Sequence, residues 1–272
     1  PSAQDMDTTF AQLATIVDDC PVIIDGLAFG AMDPARVVQV HTPIVALIHH
    51  PLALENGLDP DRARELYHSE RANLAHAVQV LVPSPHTAAL LVSDYGVPAH
   101  RIHIARPGTD RPSEVARPVD PPLILSVGIQ LPRKGHDVLL KALARITDLD
   151  WQAKLVGAPL DANHAQELTD LRLSLGLGDR VTLTGQIDDA KLGALFGSAT
   201  LFALATRFEG YGIVFDEALV HGLPIISCNV GAVPDTVPSG AGVLVPPDAP
   251  EAFADALRRL LSDPENRKTL AI

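Results

Sequence analysis

The sequence predicts an α/β protein made of two parallel-sheet units, the first of them incomplete. Three observations lead there. Short runs rich in Val, Ile and Leu recur through the 272 residues, separated by longer amphipathic segments. Nearly continuous apolar strands alternating with helices indicate parallel sheets covered on both faces. The runs also fall into a series of four and a series of six. Between them lies PGTDRPSEVARPVDPP (107–122), which holds five prolines and no apolar periodicity, a composition suited to a linker.

In chain order, the first strands are PVIID (21–25), PIVALIHH (43–50), VQVLVPS (78–84) and RIHIA (101–105), with a helical pattern over PDRARELYHSERANLAHA (60–77). A doubly wound half ordinarily begins with a strand and a glycine-containing turn, and nothing before residue 20 has that form. This unit, 1–112, therefore reads as partial, and a chain opening on Pro1 reads as processed, trimmed or partly observed. The second unit, 113–272, carries LILSVG (123–128), AKLVG (153–157), VTLTG (181–185), LFALAT (201–206), PIISC (224–228) and GVLVP (242–246). Its helices are expected over GHDVLLKALARI (135–146), HAQELTDLRLSLGL (164–177) and PEAFADALRRLLSD (250–263).

Composition removes several classes of function. A formal net charge of −12 and an aromatic content of 4% argue against a nucleic-acid binder, which needs a basic face to displace counterions. No apolar run approaches the ~20 residues that span a bilayer, and no signal peptide opens the chain. Cys20 and Cys228 both stand in apolar runs and read as small core residues of a reducing, cytoplasmic compartment. No Asp-x-Asp pair marks a metal-held diphosphate, the histidines show no metal-ligand spacing, and no G-x-S-x-G elbow supports a hydrolase. Neither a metal nor a cofactor is expected.

Ligands of open parallel sheets sit beyond the carboxyl ends of the strands, and two segments fall there. In LSVGIQLPRKGHDVLL a strand runs into Gly128, then a loop with Arg133 and Lys134, then Gly135 and a helix. Two adjacent cations at a helix N-terminus make an anion site, because charge and oriented N–H groups reinforce one another. Neither a G-x-G-x-x-G fingerprint nor a Walker loop is present. The second segment is RFEGYGIVFDEALVHG, following the strand LFALAT. Glu209 belongs to its loop and Glu217, eight positions on, to the second turn of a helix closed by Gly222. Gly210 and Gly212 would let backbone N–H groups approach a ligand. On residue types alone the acids could equally complement the helix dipole while the glycines make the turn. His49 and His50, ending a strand before Pro51, could likewise cap or pack.

Taken together, LSVGIQLPRKGHDVLLKAL, RVTLTGQIDDAKLGALF and RFEGYGIVFDEALVHGLPIISCNVGAVPDTVPSGAGVLVPPD resemble, in order and spacing, the C-terminal half of glycosyltransferase family 4. These are retaining, nucleotide-sugar-dependent enzymes of the GT-B fold, with two Rossmann-like domains. The likeness covers roughly residues 100–272, and IVALIHHPLALE with VLVPSPHTAALL is similar to the end of the family's N-terminal domain. The resemblance, of bacterial type, implies a chain truncated at its N-terminus and at its C-terminus.

The resemblance also implies roles. Glu209 matches the acid that hydrogen-bonds the donor sugar, and Glu217 the one that holds the ribose. Tyr211, Gly212, Ile213 and Val214 match the positions whose N–H groups approach sugar and diphosphate. Lys134, with Gly128 before it, matches the diphosphate-binding lysine. Thr184, Gly185 and Gln186 fall where the base is lined, and His49 at the position of an active-site histidine. One departure stands out: many members carry an arginine five residues before the lysine, where this chain has Ile129. Arg133 then becomes the candidate second cation. His50, His136 and His221 read as structural, the last two as surface or helix-end residues. The expected partners are a nucleoside-diphosphate sugar and an unknown acceptor (glycan, lipid or small molecule), with peripheral membrane contact allowed. The other readings are a nucleotide-sugar-binding subunit without transferase activity, and a sugar-nucleotide 2-epimerase.

Overall fold

The computed structural model describes residues 3–16, 20–55, 57–112 and 117–270. The chain divides into two compact units, Pro1–Pro107 and Gly108–Ile272.

The first unit runs α1 (Ala3–Leu13), β1 (Val22–Asp25), α2 (Gly26–Phe29), α3 (Pro34–Val37), β2 (Ile44–Leu47), α4 (Pro60–His76), β3 (Gln79–Val82), α5 (Pro85–Ser93) and β4 (Ile102–Ile104). Its four strands are all parallel and lie in chain order, β1-β2-β3-β4. Local signals set the longer helices. Asp59 Oδ1 accepts the N–H groups of Asp61 and Arg62 to cap α4, and Pro60 fits its first turn. Ser84 Oγ caps α5 through the Thr87 N–H. Alternate residues of β2 and β3 (Ile44, Ala46, Val80, Val82) are buried with Phe29, Leu74 and Leu91. Helix α1 lies where no element was expected. Its Met6, Phe10 and Leu13, spaced four and three apart, pack on that core.

The second unit runs β5 (Leu123–Val127), α6 (His136–Leu143), β6 (Gln152–Val156), α7 (Ala162–Ser174), β7 (Val181–Gly185), α8 (Asp189–Ser198) and β8 (Leu201–Leu204). It continues with α9 (Ile213–Val220), β9 (Ile225–Cys228), α10 (Val233–Thr236), β10 (Gly242–Val245), α11 (Pro250–Ser262) and α12 (Pro264–Leu270). The sheet is parallel throughout, in the order β10-β9-β8-β5-β6-β7. From β5 the chain winds outward through β6 and β7, then returns to β8 on the other side of β5 and winds the opposite way. The crevice between the carboxyl ends of β5 and β8 is thus the topological switch point, where such sheets bind ligands.

All four residues of β8 are buried because the sheet is covered twice. Leu201 and Ala203 join Leu139, Leu143 and Trp151 on one face. Phe202 and Leu204 join Phe196, Phe215 and Val233 on the other. Each unit is a parallel α/β sheet, as the apolar runs predict.

Two expectations are corrected. Cys20 is exposed, while Cys228 is buried within β9; Cys20 stands just before β1 and contributes nothing to the core. His136 stands at a helix end, as one half of its reading has it, since it opens α6, but it is only 1% exposed and so is not at the surface. His221 does end its helix, its Nδ1 set against the Glu217 carbonyl at 2.8 Å and its ring stacked on Phe196. The 135–146 helix is α-helical to Leu143 and closes in a 3₁₀ turn, Ala144–Ile146. Among the described residues no helix is long and apolar enough to cross a membrane.

Candidate active site

Two loops meet at the switch point, one leaving β5 and one leaving β8. After β5 the chain passes Gly128, makes the single turn Pro132–Lys134, and enters α6 through Gly135 in the left-handed region (φ 63°). A Cβ at Gly135 would stand 1.9 Å from the Ala205 carbonyl oxygen, and one at Gly157 would stand 1.8 Å from that of Gly128. Only glycine lets these backbones touch. The Arg133 carbonyl then accepts the Arg207 N–H (2.7 Å) and the Thr206 hydroxyl (3.0 Å).

The Arg207 guanidinium completes the lacing. It holds the Asp137 carboxylate in two bonds, 2.9 and 3.0 Å, meets Asp248 at 2.7 Å, and donates to the Pro132 carbonyl. Asp137 is held below the usual carboxylate range: burial raises it, and the Arg207 and Lys141 bonds outweigh that. Arg207 was not singled out from the sequence. Its signal there was only a cation two residues before an acid.

Within this frame Lys134 Nζ lies 2.6 Å from Glu209 Oε1, and Arg133 Nη1 lies 3.9 Å from Glu209 Oε2. Lys134 is 8% exposed and Glu209 5%. Burial holds the Lys134 ammonium below the usual lysine range, with Arg133 adding to the effect and Glu209 opposing it. Gly128 lies against the lysine stem, where a Cβ would be 3.2 Å from Cδ. The Glu209 backbone is fixed from β9: its carbonyl accepts the Ala232 N–H at 2.9 Å, and a Cβ at Gly231 would stand 2.4 Å from that oxygen. Gly128, Arg133, Lys134 and Glu209 therefore form one cluster, two cations sharing one buried carboxylate.

The chain then enters α9 through Gly212 (φ 83°), whose Cα region lies against the Glu209 stem and the Phe215 ring. No side chain caps α9, so its first-turn N–H groups are not consumed by a capping oxygen. Tyr211 is oriented by its hydroxyl, which donates to Asp216 at 2.6 Å, and by its carbonyl, which accepts from Thr236 at 2.6 Å. Ile213 is exposed and Val214 buried, so α9 meets solvent on one edge of its first turn. Glu217 is half-buried in the second turn; burial raises its carboxyl, His221 opposes, and Asp189 and Asp216 add. Thr184 and Gly185 close β7, with open space around Gly185, and Gln186 is exposed just beyond. Among the described residues no hydrogen bond or ion pair ties Gly185 or Glu217 to the Lys134–Glu209 pair.

In the first unit, His49 follows β2 and Asp25 ends β1. Asp25 Oδ1 caps α2 through the Leu27 N–H at 2.9 Å, while Oδ2 meets His49 Nε2 at 3.1 Å. His50 pairs instead with Glu55. Asp25 was missed because nothing local couples it to a histidine 24 residues away; the parallel pairing of β1 with β2 does that. The three Asp-x-Asp pairs lie elsewhere: Asp5–Asp7 in α1, Asp59–Asp61 at the start of α4, and Asp148–Asp150 at the amino end of β6. Among the described residues no cluster of three or more His, Cys, Asp or Glu could hold a metal.

A family model described as glycosyl transferases group 1 matches residues 109–271, and one described as glycosyltransferase family 4 matches residues 21–111. The chain belongs to the group 1, family 4 glycosyltransferases. Among this glycosyltransferase chain's relatives, a D-inositol 3-phosphate glycosyltransferase of Rhodococcus opacus is 32% identical, over 89% of the chain and 58% of the relative. One from Catenulispora acidiphila is 31% identical over 72% and 51% respectively. An MMP α-(1→4)-mannosyltransferase of Mycolicibacterium hassiacum is 27% identical over 93% and 64%. The chain thus spans between half and two thirds of the length of these relatives. Sucrose-phosphate synthase of Thermosynechococcus elongatus superposes with a TM-score of 0.83 at 27% identity, over 98% of the chain and 70% of that structure. HepE of Anabaena, solved with UDP-glucose, gives 0.79 at 20% identity, over 99% and 74%. The fold is GT-B.

Proposed function

We propose that this protein transfers a sugar from a nucleoside-diphosphate sugar to an acceptor hydroxyl with retention of configuration. The observation that carries the reading is the Lys134–Glu209 pair at the switch point, flanked by Arg133 and the uncapped start of α9. A buried lysine and a partly buried arginine sharing one carboxylate leave positive charge unmatched, which a diphosphate would neutralise. As the diphosphate takes up the Lys134 charge, Glu209 becomes free to accept hydrogen bonds from sugar hydroxyls. The solved HepE complexes with UDP and UDP-glucose support a nucleotide-sugar donor for this fold.

In the transfer, the bond from the anomeric carbon to the diphosphate oxygen breaks, and its electron pair leaves with the diphosphate. Lys134, Arg133 and helix N–H groups stabilise that charge. The acceptor oxygen bonds to the anomeric carbon from the same face, and its proton passes to the departing phosphate oxygen. Once released from Lys134, Glu209 is engaged by the sugar hydroxyls rather than by the anomeric carbon, so front-face transfer is preferred over a covalent intermediate. His49, with Nε2 on Asp25, is assigned to the sugar side, and Arg133 to the place left by Ile129. The free Cys20 and Cys228 support a cytoplasmic protein, with peripheral membrane contact allowed.

A thermal-shift panel of UDP, GDP, ADP and their sugars tests the donor site, and mass spectrometry of a labelled donor detects transfer or hydrolysis. Stabilisation by at least one nucleotide and release of labelled sugar are expected. No stabilisation by any of them would refute the reading.

A further inference from the structure

The first unit holds a buried carboxylate that neither the sequence motifs nor the donor site uses. Glu70, in the middle of α4, is fully buried. Its Oε2 accepts the backbone N–H of Leu52 at 3.0 Å, and the Tyr95 hydroxyl faces the same carboxyl. Leu52 opens the single 3₁₀ turn Leu52–Leu54 that follows His49, His50 and Pro51.

The same face of α4 grips the neighbouring strand-end loop. Ser69 Oγ donates to the carbonyls of Gly30 (2.7 Å) and Met32 (3.0 Å), and Asn73 Nδ2 donates to those of Phe29 (2.6 Å) and Met32 (3.0 Å). Gly30 is packed so closely that a Cβ there would stand 2.6 Å from Leu52 Cδ1 and 3.1 Å from Glu70 Oε1. Three residues of one helix thus fix the backbone downstream of β1, through α2, and downstream of β2. Those strands end in Asp25 and lead into His49, the pair joined at 3.1 Å. Asp25 and His49 are themselves exposed and cannot hold one another in place against solvent. Their alignment must come from the backbones that carry them.

We propose that Glu70 is a positioning residue of the transfer reaction, holding the turn after His49 so that the imidazole keeps its place against Asp25. The proposal rests on the assignment of His49 to the sugar side. A buried carboxylate suits the task because it binds an N–H more strongly than a neutral acceptor would, and α4 carries it in mid-helix beside the buried Leu66, Asn73 and Leu74. Ionising it there is unfavourable: burial pushes the Glu70 carboxyl up to about 7, with the Leu52 N–H and the Tyr95 hydroxyl pulling the other way. Tyr95 is the titratable group facing it from the turn after α5, with Tyr67 and Asp94 behind. Gly30 and Leu52 face it from the two loops.

The test uses the full chain and whichever of UDP-glucose, GDP-mannose or ADP-glucose it turns over. E70A should lower kcat roughly 10- to 100-fold, the scale of an ångström-sized misplacement, while KM for the donor moves less than about twofold. E70Q, which keeps an acceptor for Leu52, should recover most of that loss. In the H49A background E70A should cost nothing further, because its effect passes through His49; additive losses would overturn the proposal. Loss in H49A with none in E70A overturns it alone, whereas wild-type kcat in H49A removes the His49 assignment and the proposal with it. Should E70A not fold, nuclear magnetic resonance of the wild-type chain decides. The Leu52 amide shift should titrate with a midpoint of about 7 and lie flat in E70Q. A flat Leu52 amide in the wild-type chain overturns the proposal.

Discussion

At the scale of residues, the two acids of RFEGYGIVFDE differ in kind. Glu209 is buried and bonded to Lys134, while Glu217 is half-buried with its carboxyl raised by burial. Replacing Glu209 with Ala should therefore lower turnover by about 100-fold or more, the cost of removing a preorganised polar group from a reacting centre. Nucleotide affinity should change far less, since Lys134 stays. Glu217→Ala should instead weaken the nucleotide by about tenfold, the value of one charged hydrogen bond, and leave turnover nearly intact. Initial rates and isothermal titration calorimetry separate the two, and equal small effects on both quantities would refute the assignment. The acids, Arg133, Lys134 and the glycines of both loops were legible from the sequence because each lies in a contiguous motif. Arg207, Gly231 and Asp25 were not. Each acts on a partner 24 or more residues away or, like Gly231, against the Glu209 backbone, and such partners appear only once strands are paired.

At the scale of elements, all ten strands stand where apolar runs predict them, within one to three residues at each end. Helix α1 was invisible because only three of its eleven residues make the apolar stripe, too few to stand out against Asp, Gln and Thr. The buried face of His136 was equally hidden, since no run of sequence shows that the loop after β8 closes over α6. That closure depends on Gly135. Gly135→Ala must place a Cβ on the Ala205 carbonyl and hold alanine in the left-handed region. A loss of roughly 2 kcal/mol or more is expected, read as a fall in Tm of several degrees with loss of nucleotide binding. Glu70 gives a second prediction. Its carboxyl rises from 4.5 to about 7 on folding, so the folded state holds a proton that the unfolded chain gives up. The stability this represents is fully present below about pH 4.5 and is lost as pH rises through about 7. Glu70→Gln should match the wild type in acid and exceed it at pH 8, by up to about 3 kcal/mol. Urea denaturation followed by circular dichroism measures both limbs, and parallel curves at the two pH values would contradict it.

At the scale of the whole molecule, charge and topology divide the work. The chain is acidic overall, at −12, yet its switch point concentrates Arg133 and Lys134 against a single carboxylate. A phosphorylated ligand is thus attracted to this crevice despite the negative charge of the chain as a whole, and that attraction must weaken as salt screens it. Binding of a nucleoside diphosphate should therefore loosen measurably between 50 and 500 mM salt (values set by the Debye length falling from about 14 to 4 Å). Lys134→Met, which removes the charge while keeping a buried stem, should flatten that dependence and abolish the thermal shift. Hydrogen exchange locates the effect. Added nucleotide should protect the segments 128–137 and 205–217, which one set of hydrogen bonds already laces together, and leave β3 and β4 unchanged. Protection spread evenly over both units would mean that the ligand stabilises the chain without using the β5–β8 crevice, and the assignment of Lys134 and Glu209 would fall with it.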